Sequence, residues 1–382
     1  MATLSRAVQN LVQSGPLLRE ASASGNLRVL RSLLGPAFRG LVLQGGRDTS
    51  ATRMPAEHRA LFDWGYLRDH PALTRLYEAA KTSQWNAATD LDWSFDVDPA
   101  DPERRLVPDE FHPVHGTAHW DRLTPSERSA QIHAVVAWVL SQFLHGEQGA
   151  LFAACQVTEA VPWLDAKLYG SSQVVDEGRH VEVFHAYLTG KLNKLYQIND
   201  NLFTVIDALM TDGRWDIKFL GMQILLEGLA LGAFGALRQM TAEPLLRQLL
   251  TSVITDEARH VHFGVLAIQE RAAQLSGREH REREDWAFQM VLLLRNRFLA
   301  HEFWEEYWAH AMSRKAWDDL VLRSPFMNLF RRTMFKRIVP NLKRIGLLTE
   351  RVRPRYEALG LLAFEDLRAA PELTASDLLE DR

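Results

Sequence analysis

Apolar residues recur every three to four positions along most of the chain, which is the period of an α-helix that buries one face. Strand alternation and hairpin turn signals are nearly absent, so we expect an all-α fold. The sequence Thr124-Pro-Ser-Glu127 is typical of a capped helix start. The same pattern predicts helices over 60–93, 124–160, 163–192, 202–240, 244–275, 286–311 and 326–345.

The composition of the 382 residues is that of a folded protein, with 47% hydrophobic and 24% charged residues. A net charge of -4 makes nucleic acid a poor candidate partner. The single cysteine, Cys155, excludes an internal disulfide and any four-cysteine metal site. No secretory signal pattern is present, so we expect a cytoplasmic protein.

The chain is expected to have three parts. Residues 1–60 form a basic extension with eight arginines and three acidic residues, 61–350 form a helical domain, and 351–382 form an acidic tail. Residues 26–43 are weakly amphipathic, which suits docking on the body of the protein, a membrane surface or an acidic partner. The longest apolar run, 219–237, contains Glu227 near its middle, which argues against a transmembrane segment.

Two short motifs nearly repeat along the chain. Asp176-Glu-Gly-Arg-His180 and Asp256-Glu-Ala-Arg-His260 lie 80 residues apart. Within each motif the Glu and the His are three positions apart, about 300° around a helix, so both side chains leave the same face. Each pair could therefore bind one metal ion.

A lone Glu in an apolar helix precedes each motif by the same distance. Glu147 lies 30 residues before Glu177, and Glu227 lies 30 residues before Glu257. The midpoints of these spacings fall at Pro162 and Ala242, where turns are expected. Folding about these midpoints gives two antiparallel helical hairpins, and each lone Glu then lies level with its motif. The core of about 124–275 would thus aim six side chains at one point: Glu147, Glu177, His180, Glu227, Glu257 and His260.

The charges of this set favour a pair of metal ions. Four buried carboxylates carry four negative charges, which two divalent cations would neutralise. Oxygen ligands with one imidazole per metal suit iron or manganese better than zinc, so we expect two metal ions per chain, Fe/Fe or Mn/Fe. Asp176 and Asp256 are placed to accept hydrogen bonds from the imidazoles, and Arg179 and Arg259 could balance their charge.

The order Glu, Glu-x-x-His, Glu, Glu-x-x-His resembles the ferritin-like di-iron carboxylate superfamily, over roughly 123–275. Glu227-Gly-Leu-Ala-Leu-Gly-Ala-Phe and the second motif are most similar to the ribonucleotide-reductase small subunit and its oxidase relatives. The resemblance implies a ferritin-like four-helix bundle with flanking helices. It also implies that the six side chains bind two metals that activate O2, with Glu177 and Glu227 as bridges.

The sequence departs from the reductase pattern at two places. Phe184 stands where the reductase subunit usually has its radical tyrosine, and Glu147 stands where its ligand is commonly Asp. Both differences favour an oxygenase. Small residues crowd the helix after Glu227, which indicates close helix packing or a substrate cavity. The candidate cavity residues are Ala230, Leu231, Phe234 and Phe184.

The sequence is therefore interpreted as that of an O2-dependent di-iron oxidoreductase, a monooxygenase or oxidase acting on a small organic molecule. No dinucleotide fingerprint is present, so electrons would come from a separate ferredoxin or reductase. A homodimer is a family expectation. Three alternatives stay open: a ribonucleotide-reductase-like radical generator, a ferritin-like iron-storage protein, and a structural bundle with a relict site.

Overall fold

A computed structural model describes residues 2–15, 25–98 and 105–380 of the chain. The described residues form helices and no strands, so the all-α prediction is confirmed. The α-helices are α1 (Ala2–Gln13), α2 (Leu27–Ala37), α3 (Pro71–Thr82), α4 (Ala118–Asp121), α5 (Pro125–Ala160), α6 (Leu164–Gly190), α7 (Asp200–Thr211), α8 (Trp215–Phe219), α9 (Glu227–Met240), α10 (Pro244–Ala272), α11 (Gly277–Asn296), α12 (His301–Tyr307), α13 (Arg314–Arg323), α14 (Pro325–Phe335), α15 (Ile338–Arg344), α16 (Arg353–Ala358) and α17 (Ala375–Glu380).

Two helical hairpins form the centre of the molecule, as the spacing predicted. Helices α5 and α6 pack along their length and are joined at residues 161–163, and α9 and α10 are joined at 241–243. The expected midpoints Pro162 and Ala242 lie in these turns. Helix α5 begins with the predicted capping box, in which Thr124 Oγ1 accepts from the Glu127 amide and Glu127 accepts from the Thr124 amide.

The predicted helix over 202–240 is interrupted between α7 and α8. Asp212 Oδ1 accepts a hydrogen bond from the Arg214 backbone N–H at 3.0 Å, a local turn that competes with helix. The buried ammonium of Lys218 donates to the Leu209 carbonyl at 2.8 Å, which satisfies the end of α7. Beyond the break, one continuous helix runs from Trp215 to Met240 and comprises α8, a π-helical segment (Leu220–Leu226) and α9.

Three other predicted helices are shorter than expected. Only α3 forms within 60–93. Aromatic side chains before it, such as Phe62 and Trp64, are exposed, so their spacing does not mark the buried face of a helix. The helix over 286–311 breaks before α12 at Ala300, which has a φ of 50°. The helix over 326–345 breaks between α14 and α15.

One helix, Trp215–Met240, is long and apolar enough to cross a membrane. Within its most apolar window, 89% of the residues are buried among the other helices. Its hydrophobicity therefore serves the core of the bundle.

The basic N-terminal extension is held to the body by ion pairs. Arg39 Nε lies 2.7 Å from a carboxylate oxygen of Asp207 on α7. Arg47 is buried and lies 3.0 Å from Asp200 and 2.9 Å from Glu302. A buried arginine is tolerated only with such partners. The three-part division of the chain stays a prediction.

Two glycines of α9 give opposite predictions for stability. A Cβ on Gly232 would lie 2.7 Å from the Met334 carbonyl oxygen, whereas a Cβ on Gly235 would meet nothing within 4 Å. We expect Gly232→Ala to lower the free energy of unfolding by about 1–3 kcal/mol through overpacking. We expect Gly235→Ala to raise it by about 0.5–1 kcal/mol through helix propensity. Urea unfolding of the metal-free proteins measures both; changes of the same sign would contradict this packing.

Candidate metal centre

The six predicted ligands meet at the middle of the two hairpins. Each is buried, with at most 4% of its surface exposed. One comes from each lone-Glu helix and two from each motif helix: Glu147 on α5, Glu177 and His180 on α6, Glu227 on α9, and Glu257 and His260 on α10.

These side chains form two groups whose ligand atoms lie within 4.8 Å of one another. The first group is Glu147, Glu177, His180 and Glu257, and the second is Glu177, Glu227 and His260. Glu177 belongs to both.

Like Glu177, Glu257 lies close to both imidazoles. Its Oε1 lies 3.2 Å from His180 Nδ1 and 3.7 Å from His260 Nδ1. Glu227 and Glu257 each belong to one group, so the expected bridging role of Glu227 stays a prediction.

A π-helical segment comes directly before Glu227. Residues Leu220–Leu226 form this wider turn, a feature frequent at functional sites because it redirects the side chains that follow. Gly221 allows the close approach it requires, since a Cβ there would lie 2.2 Å from a Leu209 methyl group and 2.6 Å from Trp286. The π-helical segment thus ends directly before the buried Glu227.

The outer nitrogens of the two imidazoles are hydrogen-bonded crosswise. His180 Nε2 lies 3.1 Å from Asp256 Oδ2, and His260 Nε2 lies 3.2 Å from Asp176 Oδ2. Each aspartate therefore serves the histidine of the other motif. With Nε2 donating, each imidazole turns Nδ1 toward the glutamates, which is how a ligating histidine is usually oriented.

Two arginines hold the aspartates together. Arg179 donates from one nitrogen to Asp176 at 2.6 Å and to Asp256 at 2.9 Å. Arg259 donates to Asp256 and lies 3.6 Å from Asp176. The buried aspartate charges are thereby paired.

One polar residue outside the predicted set contacts the glutamates directly. Gln173 Nε2 donates to Glu177 at 3.1 Å and to Glu227 at 3.0 Å, and so ties the two hairpins together. Its position four residues before Glu177, on the same helix face, was a usable signal.

Two further residues come from the segment after α3. The Trp85 indole donates to Asp256 at 2.8 Å, and Gln84 donates to Asp176 at 3.2 Å. The Arg179 guanidinium lies over the Trp85 ring, 4.7 Å from its centre. Nothing local in the sequence indicates these contacts, because they join residues more than 90 positions apart.

Burial and mutual repulsion raise the pKa values of two of the glutamates. Burial, reinforced by the charge of Glu257, raises the pKa of Glu147 well above its usual value. Burial and the charge of Glu177 do the same to the pKa of Glu227. Burial disfavours charge on the imidazoles, but hydrogen bonds to the carboxylates outweigh it and raise the pKa of His180 well above its usual value. The cluster therefore favours bound protons or cations over unpaired negative charge.

Several buried ligand atoms have no hydrogen-bond partner. They are both oxygens of Glu257, Oε2 of Glu177, Oε2 of Glu227 and Nδ1 of His260. Unpartnered buried polar atoms are costly and rare in native proteins. These four oxygens and one nitrogen converge from α6, α9 and α10, and they fit two divalent cations such as iron or manganese.

The candidate cavity residues lie on α6 and α9 and are all buried. The Phe234 ring is 4.6 Å from that of Phe143 and 5.7 Å from that of Phe184. These distances are those of close packing. A substrate cavity at Ala230, Leu231, Phe234 and Phe184 stays a prediction.

Comparison with known proteins gave matches among solved structures alone. No family model matches the chain, and no curated protein matches it. An R2-like ligand-binding oxidase with an aerobically reconstituted Mn/Fe cofactor is 18% identical, with a TM-score of 0.43, covering 72% of this chain and 98% of its own. A single-substitution variant of such an oxidase gives 19% identity and a TM-score of 0.46, covering 72% and 99%. The motifs predicted a resemblance to the same kind of protein.

The protonation of the cluster predicts that metal binding releases protons. Glu147, Glu227 and the imidazoles must lose protons to become ligands, so metal affinity should rise with pH. Calorimetric titration with Mn²⁺ in buffers of different ionisation enthalpy measures the number released. We expect Glu147→Gln to release fewer protons and the exposed Glu182→Gln to match wild type. Binding without proton release at any pH would contradict the assignment.

Proposed function

We propose that the chain is an O2-dependent oxidoreductase with a di-metal centre, Fe/Fe or Mn/Fe. The observation that carries the proposal is the pair of buried ligand groups that share Glu177 and leave several oxygens unpartnered. Glu147 and His180 would hold one metal, and Glu227 and His260 would hold the other. Glu177, which belongs to both groups, and Glu257, which lies between the two imidazoles, would complete the set of residues that holds the pair.

The bound metals would supply the reduction of O2. The chain contributes orientation, because Asp176 and Asp256 fix the imidazoles and Gln173 fixes two glutamates. Apolar helices around the cluster exclude water, which strengthens these electrostatic contacts.

We infer that the reaction is of the oxidase or monooxygenase type, on a small organic substrate in the cytoplasm. Electrons would come from a separate ferredoxin or reductase. The absence of a dinucleotide fingerprint from the sequence supports an external donor.

The radical-generator alternative is favoured by one residue, Tyr169. Its ring is fully buried, its centre lies 4.5 Å from that of Phe263, and its hydroxyl has no hydrogen-bond partner. It lies eight residues before Glu177 on α6. The hydroxyl of Tyr187, by contrast, donates a hydrogen bond to Glu243 at 2.8 Å. A tyrosyl signal in paramagnetic resonance after O2 exposure, lost in Tyr169→Phe, would favour the alternative.

Metal content and O2 consumption test the proposed function. After anaerobic loading with Fe²⁺, we expect about two metal ions per wild-type chain and O2 uptake on mixing. Glu227→Ala and His260→Ala should lose metal and O2 uptake. Glu182→Ala and His262→Ala change the same residue types outside the cluster and should behave as wild type. Wild-type protein with less than one metal per chain, or ligand variants that match it, would overturn the proposal.

The crosswise aspartates allow a subtler test. Asp256→Asn keeps all six ligands but weakens the acceptor of the His180 Nε2 proton. We expect metal affinity to fall by about 10–100-fold, as for other partners of ligating histidines. Competition with a metal chelator measures it, and an unchanged affinity would show that the contact does not act on the centre.

A further inference from the structure

Helix α2 is apolar on two opposite sides. Val29 and Leu33 are buried against the body of the protein. Leu27 and Leu34 point outward instead, and Phe38, at the start of the next π-helical turn (Phe38–Val42), continues their line. Residues at spacings of seven and four lie on one face of a helix, so these three form an exposed stripe.

Helix α1 carries further exposed apolar side chains. It packs against the π-helical turn, where Asn10 Nδ2 donates to the Val42 carbonyl at 3.2 Å. Helices α1 and α2 and the segment 38–43 expose seven large apolar side chains, between 49% and 73% exposed, which we call the N-terminal face: Val8, Leu11, Val12, Leu27, Leu34, Phe38 and Leu43. Apolar patches of this kind mark interaction sites.

The charged residues within the segments that carry the N-terminal face are arginines. Residues 1–19 and 25–47 contain arginines and no acidic residue. Arg39 and Arg47 pair inward with the body. Arg31 lies within the exposed stripe and forms no ion pair with any described residue. Arg28 lies beside it; its side chain is half exposed, and its Nη1 lies 3.3 Å from Glu282 Oε2.

We propose that the N-terminal face docks on an anionic lipid bilayer. Apolar side chains flanked by arginine, on helices lying along a surface, are the features of an interfacial membrane helix. Anionic headgroups supply negative charge that can pair with the exposed Arg31 and the half-exposed Arg28. A second copy fits less well, because a symmetric contact would bring the same cationic faces together.

Binding of the full-length, metal-loaded chain to sedimented vesicles tests the proposal. We expect binding to phosphatidylcholine vesicles that contain about one-third phosphatidylglycerol and little binding to pure phosphatidylcholine. Binding should weaken as salt rises.

Variants locate the surface. The double change Leu34→Glu and Phe38→Glu should reduce vesicle binding by at least about tenfold, since it removes two apolar side chains that would be buried in the bilayer. Arg31→Glu should reduce it by about fivefold or more through charge. Leu329→Glu is the matched control, because Leu329 is 64% exposed on α14, outside the N-terminal face, and should bind as wild type.

Two outcomes would overturn the proposal. The first is that the chain does not bind vesicles, that it binds charged and uncharged vesicles equally, or that Leu329→Glu reduces binding as much as the double variant does. The other is a dimer in light scattering without vesicles that Leu34→Glu dissociates, which would identify a second copy as the occupant. Metal content of each variant, measured in parallel, keeps this result separate from that of the proposed function.

Discussion

The burial of four carboxylates at the centre of an apolar bundle is the constraint on which the rest of this structure depends. Each charge is costly to bury alone, so the fold must bring opposite charge or protons to the same place. The pKa values of Glu147, Glu227 and His180 are raised well above their usual values, which favours bound protons at this place. The same demand explains why a pair of divalent cations fits the cluster.

Precision in the cluster comes from contacts that cross between the hairpins. Asp176 and Asp256 each bind the histidine of the other motif, and Arg179 binds both aspartates. Gln173 links α6 to α9 through two glutamates. Because the contacts of His180 and Arg179 with Asp256, of His260 with Asp176 and of Gln173 with Glu227 each join two helices, the hairpins cannot shift without breaking them. The bundle and its centre are therefore stabilised by the same interactions.

The outer parts of the chain follow a different rule. Arg39 and Arg47 fasten the N-terminal extension inward through buried carboxylates. The apolar side chains of the N-terminal face remain outward, beside Arg31. An extension that is anchored by some arginines and exposes others can be held rigidly while it presents a cationic, apolar surface to a partner.

The sequence by itself determined the all-α class, the two hairpins and the six converging side chains. These follow from helical periodicity and from equal spacing about Pro162 and Ala242, which are local properties of the chain. Only the tertiary structure decided that Glu257 lies between the imidazoles, since that depends on how the hairpins pack. The contact of Trp85 with Asp256 likewise joins distant segments. The interruptions of the predicted helices reflect competition from side chains such as Asp212 and from packing, which apolar periodicity does not reveal.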